Sequence, residues 1–124
     1  RISRSGECGN SPKNELVEDI AIALAQSDPT AFDGVISDDF RRVTVGDAIS
    51  QGKDTFLRQL EADAAADAVT VFHVSSHGKT GAVNGEMALK SGNIAFCHVI
   101  EFTSAASTSV KTITSYLIPL DYRY

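Results

Sequence analysis

The chain has no concentration of positive charge. Eleven Lys and Arg are scattered among sixteen Asp and Glu over 124 residues, for a formal net charge of -5 and a pI near 5.0. Nucleic acid needs clustered cations, so it is excluded as a partner. No apolar run approaches the roughly 20 residues of a membrane span, which excludes a membrane helix. The opening stretch Arg1–Asn10 is polar and reads as no signal peptide. The first residue is not Met, as in a processed or trimmed polypeptide, and the expected location is cytoplasmic. Cysteine is scarce. Cys8 and Cys97 are too few for a disulfide framework, and nothing in their spacing requires a bridge. Two free thiols in a reducing compartment are expected, because a chain of this length can bury a core without covalent support. The sequence has no Gly-rich phosphate loop, and Ser75-Ser76-His77 is no nucleophile elbow. Its three His and two Cys follow no metal-ligand spacing. Neither metal nor cofactor is expected.

The remaining composition is that of a single globular domain. Arg1–Lys13 is polar and reads as a flexible leader, residues 14–120 as the domain, and residues 121–124 as a C-terminal tail. Ser11-Pro12 opens a helix in which Leu16, Val17, Ile20, Ala23 and Leu24 recur at helical spacing, until Ser27-Asp28-Pro29 stops it. Phe32, Val35 and Ile36 suggest a short second helix ending at Asp38-Asp39-Phe40. Arg41–Val45 and Ala48–Ser50 form a hairpin across Gly46-Asp47. Gly52-Lys53-Asp54 opens a third helix with Phe56, Leu57, Leu60 and Ala64 as its stripe. After Asp67 come four strands, Val69–Ser76, Ala82–Lys90, Asn93–Thr103 and Ser109–Pro119, joined by short turns. Helices followed by an antiparallel meander make an α+β domain.

Four words of the sequence carry a resemblance. They are Ala25-Gln26-Ser27-Asp28, Ser37-Asp38-Asp39-Phe40, Gly52-Lys53-Asp54-Thr55-Phe56 and Val110-Lys111-Thr112-Ile113-Thr114-Ser115-Tyr116. In their order and spacing, from roughly Glu15 to Leu120, the chain resembles the NTF2-like superfamily in its SnoaL-like branch. The resemblance implies a cone in which three N-terminal helices pack on a strongly bent, mostly antiparallel sheet, leaving a blind pocket. It also implies binding of a small apolar molecule. Any catalysis would be cofactor-independent acid/base chemistry of the isomerase, lyase (dehydratase) or cyclase kind. A non-catalytic homodimeric association domain is the alternative.

His98 leads the candidate residues. Ile94, Phe96, Ile100 and Phe102 fall on one strand face, because side chains alternate, and His98 falls among them. A titratable ring on an apolar face marks a pocket. By the resemblance, its position matches one that carries an acidic donor in ketosteroid isomerases and a polar substrate contact in scytalone dehydratases. His73, in Val71-Phe72-His73-Val74, looks like the strand histidine of the dehydratases and is the second catalytic candidate. Phe96, Ile100, Met87, Tyr116 and Asp19 are the expected ligand-binding residues. The family's characterised sets are incomplete. Ile20 stands near the position of the isomerase Tyr, and Thr44 or Val45 near its Asp. Asp19-Ile20 only partly echoes the dehydratase Tyr-Asp pair. No strand Asp accompanies Arg41 and Arg42 as in the epoxide hydrolases. The opposite sheet face, with Ala95, Cys97, Val99, Glu101 and Thr103, is small and fairly apolar, and it is the expected homodimer surface.

Overall fold

The computed structural model describes residues 1–120; the expected tail, 121–124, lies outside them. Helix α1 spans Pro12–Ala25. The Ser11 side chain accepts from the Asn14 N–H and Pro12 occupies the first turn, where a missing N–H costs nothing. Val17, Ile20, Ala21 and Leu24 are buried, as the spacing requires. The helix ends in a Schellman motif. Asp28 N–H reaches Ala23 C=O and Ser27 N–H reaches Leu24 C=O, with Ser27 left-handed at φ 53°.

The chain then departs from the expected second helix. Pro29–Phe32 is one 3₁₀ turn, and strand β2 follows over Ile36–Thr44, taking in Ser37-Asp38-Asp39-Phe40. Phe32, Ile36 and Phe40 are all buried. Their interval of four approximates a helical turn, but it is also twice the strand period, so the spacing does not distinguish the two. Two α-helices therefore stand where three were expected. The second, α2 (Lys53–Ala62), follows strand β3 (Ala48–Gln51) and buries Phe56 and Leu60, whereas Ala64 lies beyond it and is exposed. Phe56 meets Phe32 and Phe40 edge-on, at centroid distances of 5.1 and 4.8 Å, and this cluster holds α2 on β2.

The leader contacts both the sheet and α1. Ile2–Ser3 forms β1, pairing in parallel with Val69 and Thr70. Ser5 N–H, Arg4 and the Cys8 thiol all bond the buried Glu18 carboxylate. Burial pushes Glu18 up, but these donors outweigh it and hold the carboxyl below the ordinary Glu range. Burial and the Glu18 charge push the Cys8 thiol up. Both cysteines are free thiols.

Strands β4 (Ala68–His77), β5 (Thr80–Leu89), β6 (Gly92–Phe102) and β7 (Val110–Leu120) form the antiparallel meander. The seven-stranded sheet runs β1-β4-β5-β6-β7-β2-β3 and is mixed, with β1–β4 and β2–β7 parallel. It is curled. Helix α1 covers β4 and β5 while α2 covers β2 and β3, so the core lies on one inner face. Two glycines of β5 permit this. A Cβ at Gly81 would lie 2.6 Å from Val17 of α1, and one at Gly85 only 2.1 Å from the Thr70 carbonyl oxygen. Among the described residues no helix is long and apolar enough to cross a membrane.

Candidate functional site

His98 lies on the inner face of β6, between Val83 of β5 and Ser115 of β7. It is 3% exposed and stacks on Phe96 at 5.1 Å. Its Nδ1 is 2.8 Å from the Ser115 hydroxyl. That hydroxyl, fully buried, also accepts from Arg42 Nε at 3.1 Å, across the parallel β2–β7 pair. Arg42 can only donate. Among the described residues Ser115 Oγ has no other partner, so its proton goes to His98 Nδ1 and the imidazole carries its own proton on Nε2. Burial, and after it the Arg42 charge, push His98 down to about 3. The ring is neutral at neutral pH and presents an N–H donor. No buried side-chain nitrogen or oxygen lacks a partner among the described residues, yet His98 Nε2 bonds none of them. That nitrogen therefore keeps the little solvent access the ring has.

Arg42 extends this network outward. It stands in the wall of a cleft of about 320 Å³ between the β2–β3 hairpin and α2, with Ser50, Phe56, Gln59 and Leu60 beside it and Asp47 and Asp63 also lining it. Burial pushes the guanidinium down, and the Asp63 charge draws it partly back. The Ser50 hydroxyl bonds Gln59 across the cleft. Arg42 presents a cation to this cleft, whose lining is mixed: Asp47, Asp63, Ser50 and Gln59 stand with Ala48, Phe56, Leu60 and Ala62, and His98 supports Arg42 through Ser115 without lining the cleft itself.

The expected site residues divide. Phe96 and Ile100 share the inner face with His98, at 3% and 0% exposure. Met87 pairs with Ile94, four residues from His98, which is about 13 Å along a strand; it does not flank the ring. Tyr116 pairs with Cys97 on the outer face and is 43% exposed, so it is no pocket wall. Asp19 is half-exposed and ion-paired to Arg4 at 2.9 Å, on a groove along α1 away from His98. His73 is exposed and bonds Glu7 at 3.1 Å. A bulge between Val71 and His73 explains it: Phe72 and His73 are both turned outward, and Val69, Val71 and Val74 inward. The two histidines lie on opposite faces and hold no common oxygen. No group of three metal-ligating side chains occurs among the described residues. No motif in the sequence marks Arg42 or Ser115, although alternation places Arg42 with the core residue Phe40 and Ser115 with Ile113.

The sequence matches no protein-family model and no curated protein. Solved structures match its fold over most of their length. An NTF2-like protein of unknown function from Burkholderia xenovorans LB400 is 13% identical, with a TM-score of 0.71 over 89% of this chain and 88% of that one. A candidate ketosteroid isomerase from Kribbella flavida is 18% identical, with a TM-score of 0.70 over 90% and 81%. A candidate SnoaL-like polyketide cyclase from Jannaschia sp. CCS1 is 11% identical, with a TM-score of 0.66 over 87% and 89%. The chain has the NTF2-like fold.

Proposed function

We propose that this protein binds a small, largely apolar molecule through one of its oxygen atoms, held at the Arg42–Ser115–His98 chain. The observation that carries the reading is the Ser115 hydroxyl, fully buried and bonded to both Arg42 and His98. Such a network orders a guanidinium and an imidazole without closing off their remaining donors. His98 acts as a neutral hydrogen-bond donor rather than a general acid, because its conjugate acid forms only near pH 3. Arg42 supplies the positive charge. Where the bound molecule is a carbonyl compound, Arg42 stabilises the oxyanion that forms on enolisation, dehydration or cyclisation, and His98 holds Ser115, and through it Arg42, in place. Structural neighbours described as an isomerase and a cyclase support that reaction class. The test is an ¹⁵N–¹H NMR titration with cyclic ketones and phenols as probes. Perturbation of the Arg42 Nε–H and His98 side-chain signals is expected. Perturbation confined to the outer sheet face would overturn the reading.

A second reading concerns assembly. Phe72, Tyr116 and Ile118 are exposed at 41%, 43% and 59%, Tyr116 beside Cys97 on the outer face. We propose that this face, with Cys97 and Val99, pairs two copies of the chain, since an apolar patch of this kind is otherwise left wet. Light scattering at micromolar protein should give twice the chain mass and Tyr116→Lys the monomer mass; a monomeric wild type would sink the idea.

A further inference from the structure

Arg42 takes part in none of the ion pairs formed by the described residues. Its Nε is used by Ser115, and among those residues its two terminal nitrogens have no hydrogen-bond partner. A partly buried guanidinium with one edge fixed and the other open to a cleft is pre-organised for a planar, two-oxygen acceptor. The rest of the lining narrows the choice. Ala48 and Ala62 offer exposed apolar surface, Phe56 and Leu60 line the same cleft but are almost wholly buried, and Asp47 and Asp63 add two negative charges to it. Arg42, Asp47 and Asp63 sum to one net negative charge, so a monoanion gains the direct Arg42 contact against a modest repulsion, and a phosphate dianion meets about twice that repulsion at the same contact.

We infer that the ligand class is a small monocarboxylic acid, its carboxylate on the terminal nitrogens of Arg42 and its apolar body along Ala48 and Ala62. The inference rests on the cleft reading above and names the chemistry of its occupant. Phosphate esters are selected against by Asp47 and Asp63.

Hexanoate, 1-hexanol and hexyl phosphate separate the possibilities, titrated into the wild-type protein at pH 7 and followed by backbone and Arg Nε ¹⁵N–¹H NMR. Hexanoate should perturb Arg42, Ser50, Gln59 and Leu60 and bind at least about tenfold tighter than hexanol, as charge-assisted hydrogen bonds require. Hexyl phosphate should bind more weakly than hexanoate, and Asp47→Asn with Asp63→Asn should narrow that gap. Arg42→Gln keeps a donor for Ser115 and should abolish the preference for hexanoate over hexanol; Arg42→Lys should retain part of it. If hexanol and hexanoate bind the cleft equally, the carboxylate class is wrong and the cleft reading stands. If hexyl phosphate binds tightest, the two aspartates do not select as argued and the class is wrong. If no probe perturbs the cleft, the reading beneath it falls as well.

Discussion

Ser115 Oγ and His98 Nδ1 lie 2.8 Å apart across the β6–β7 pair, in a region where neither residue exposes more than 3% of its surface. A histidine so placed is held neutral. The consequence for stability has a definite sign. The unfolded chain takes up a proton on this ring near pH 6.5, while the folded chain resists until about 3. Between these values the unfolded state binds more protons, so stability falls with acidification. From pH 7 to pH 5 the loss should be about 2 kcal/mol, at 1.36 kcal/mol per unit of pKa difference expressed. Urea unfolding at the two pH values measures it. His98→Gln should flatten the dependence over this range, and an unchanged slope would show that the ring is not the group responsible. Glu18, held below the ordinary Glu range, contributes stability that is present above about pH 4.5 and is lost only below it, outside this window.

Ser115→Ala removes the atom shared by Arg42 and His98. The two side chains remain, and Arg42 Nε and His98 Nδ1 lose their partner. Leaving buried polar groups unpaired costs about 1–3 kcal/mol. The imidazole should also lose its preference for the proton on Nε2, which ¹⁵N NMR of the ring reports. A variant as stable as wild type, with the tautomer unchanged, would show that the hydroxyl does not organise the site.

Gly85 of β5 has Phe96 of β6 folded over it. An added Cβ would stand 2.1 Å from the Thr70 carbonyl oxygen and 2.7 Å from Phe96 Cζ. Backbone cannot yield as a side chain does, and the bulge at Val71/His73 lies close by. Gly85→Ala should cost about 3 kcal/mol, at the upper end of overpacking effects. Gly81→Ala meets only Val17 Cγ2, which can rotate, and should cost less. Equal thermal unfolding midpoints for the two variants would contradict this account.

The inner face of β6 was legible because alternation fixes it: once Phe96 and Phe102 are core, His98 and Ile100 follow. Helix α1 was legible from its cap and its stripe. The bulge at Phe72 was not, because an extra residue on one strand leaves no mark on composition, and it turned His73 outward. Nor was β2, because Ile36 and Phe40 within it, with Phe32 before it, fit two periods at once. The Arg42–Ser115 contact joins residues 73 apart in the chain. It exists because β2 and β7 are parallel neighbours, and that pairing is set by the whole sheet rather than by either strand. The leader's role depended on Glu18, an acid that helical spacing alone places beside a helix's surface residues.

Ser27 adopts φ 53° to close the Schellman motif of α1, a conformation in which the Cβ of an L-residue crowds the following carbonyl. Its hydroxyl gives something back, bonding the Ala64 carbonyl at 3.3 Å, but that contact is long and exposed. Glycine adopts the same conformation without the crowding. It also loses more entropy on folding, which offsets part of the gain. Ser27→Gly should therefore stabilise the protein by roughly 0.5 kcal/mol, the release of a strain of about 1 kcal/mol less the entropy and the weak hydrogen bond. Ser27→Ala separates the two effects: it keeps the strain and loses the hydroxyl, and should be slightly less stable than wild type. Urea midpoints for the three proteins should rank glycine above serine above alanine. If glycine ranks below serine, the Ala64 hydrogen bond matters more than the strain, and the end of α1 is held by its contact with the segment after α2 rather than by its own backbone.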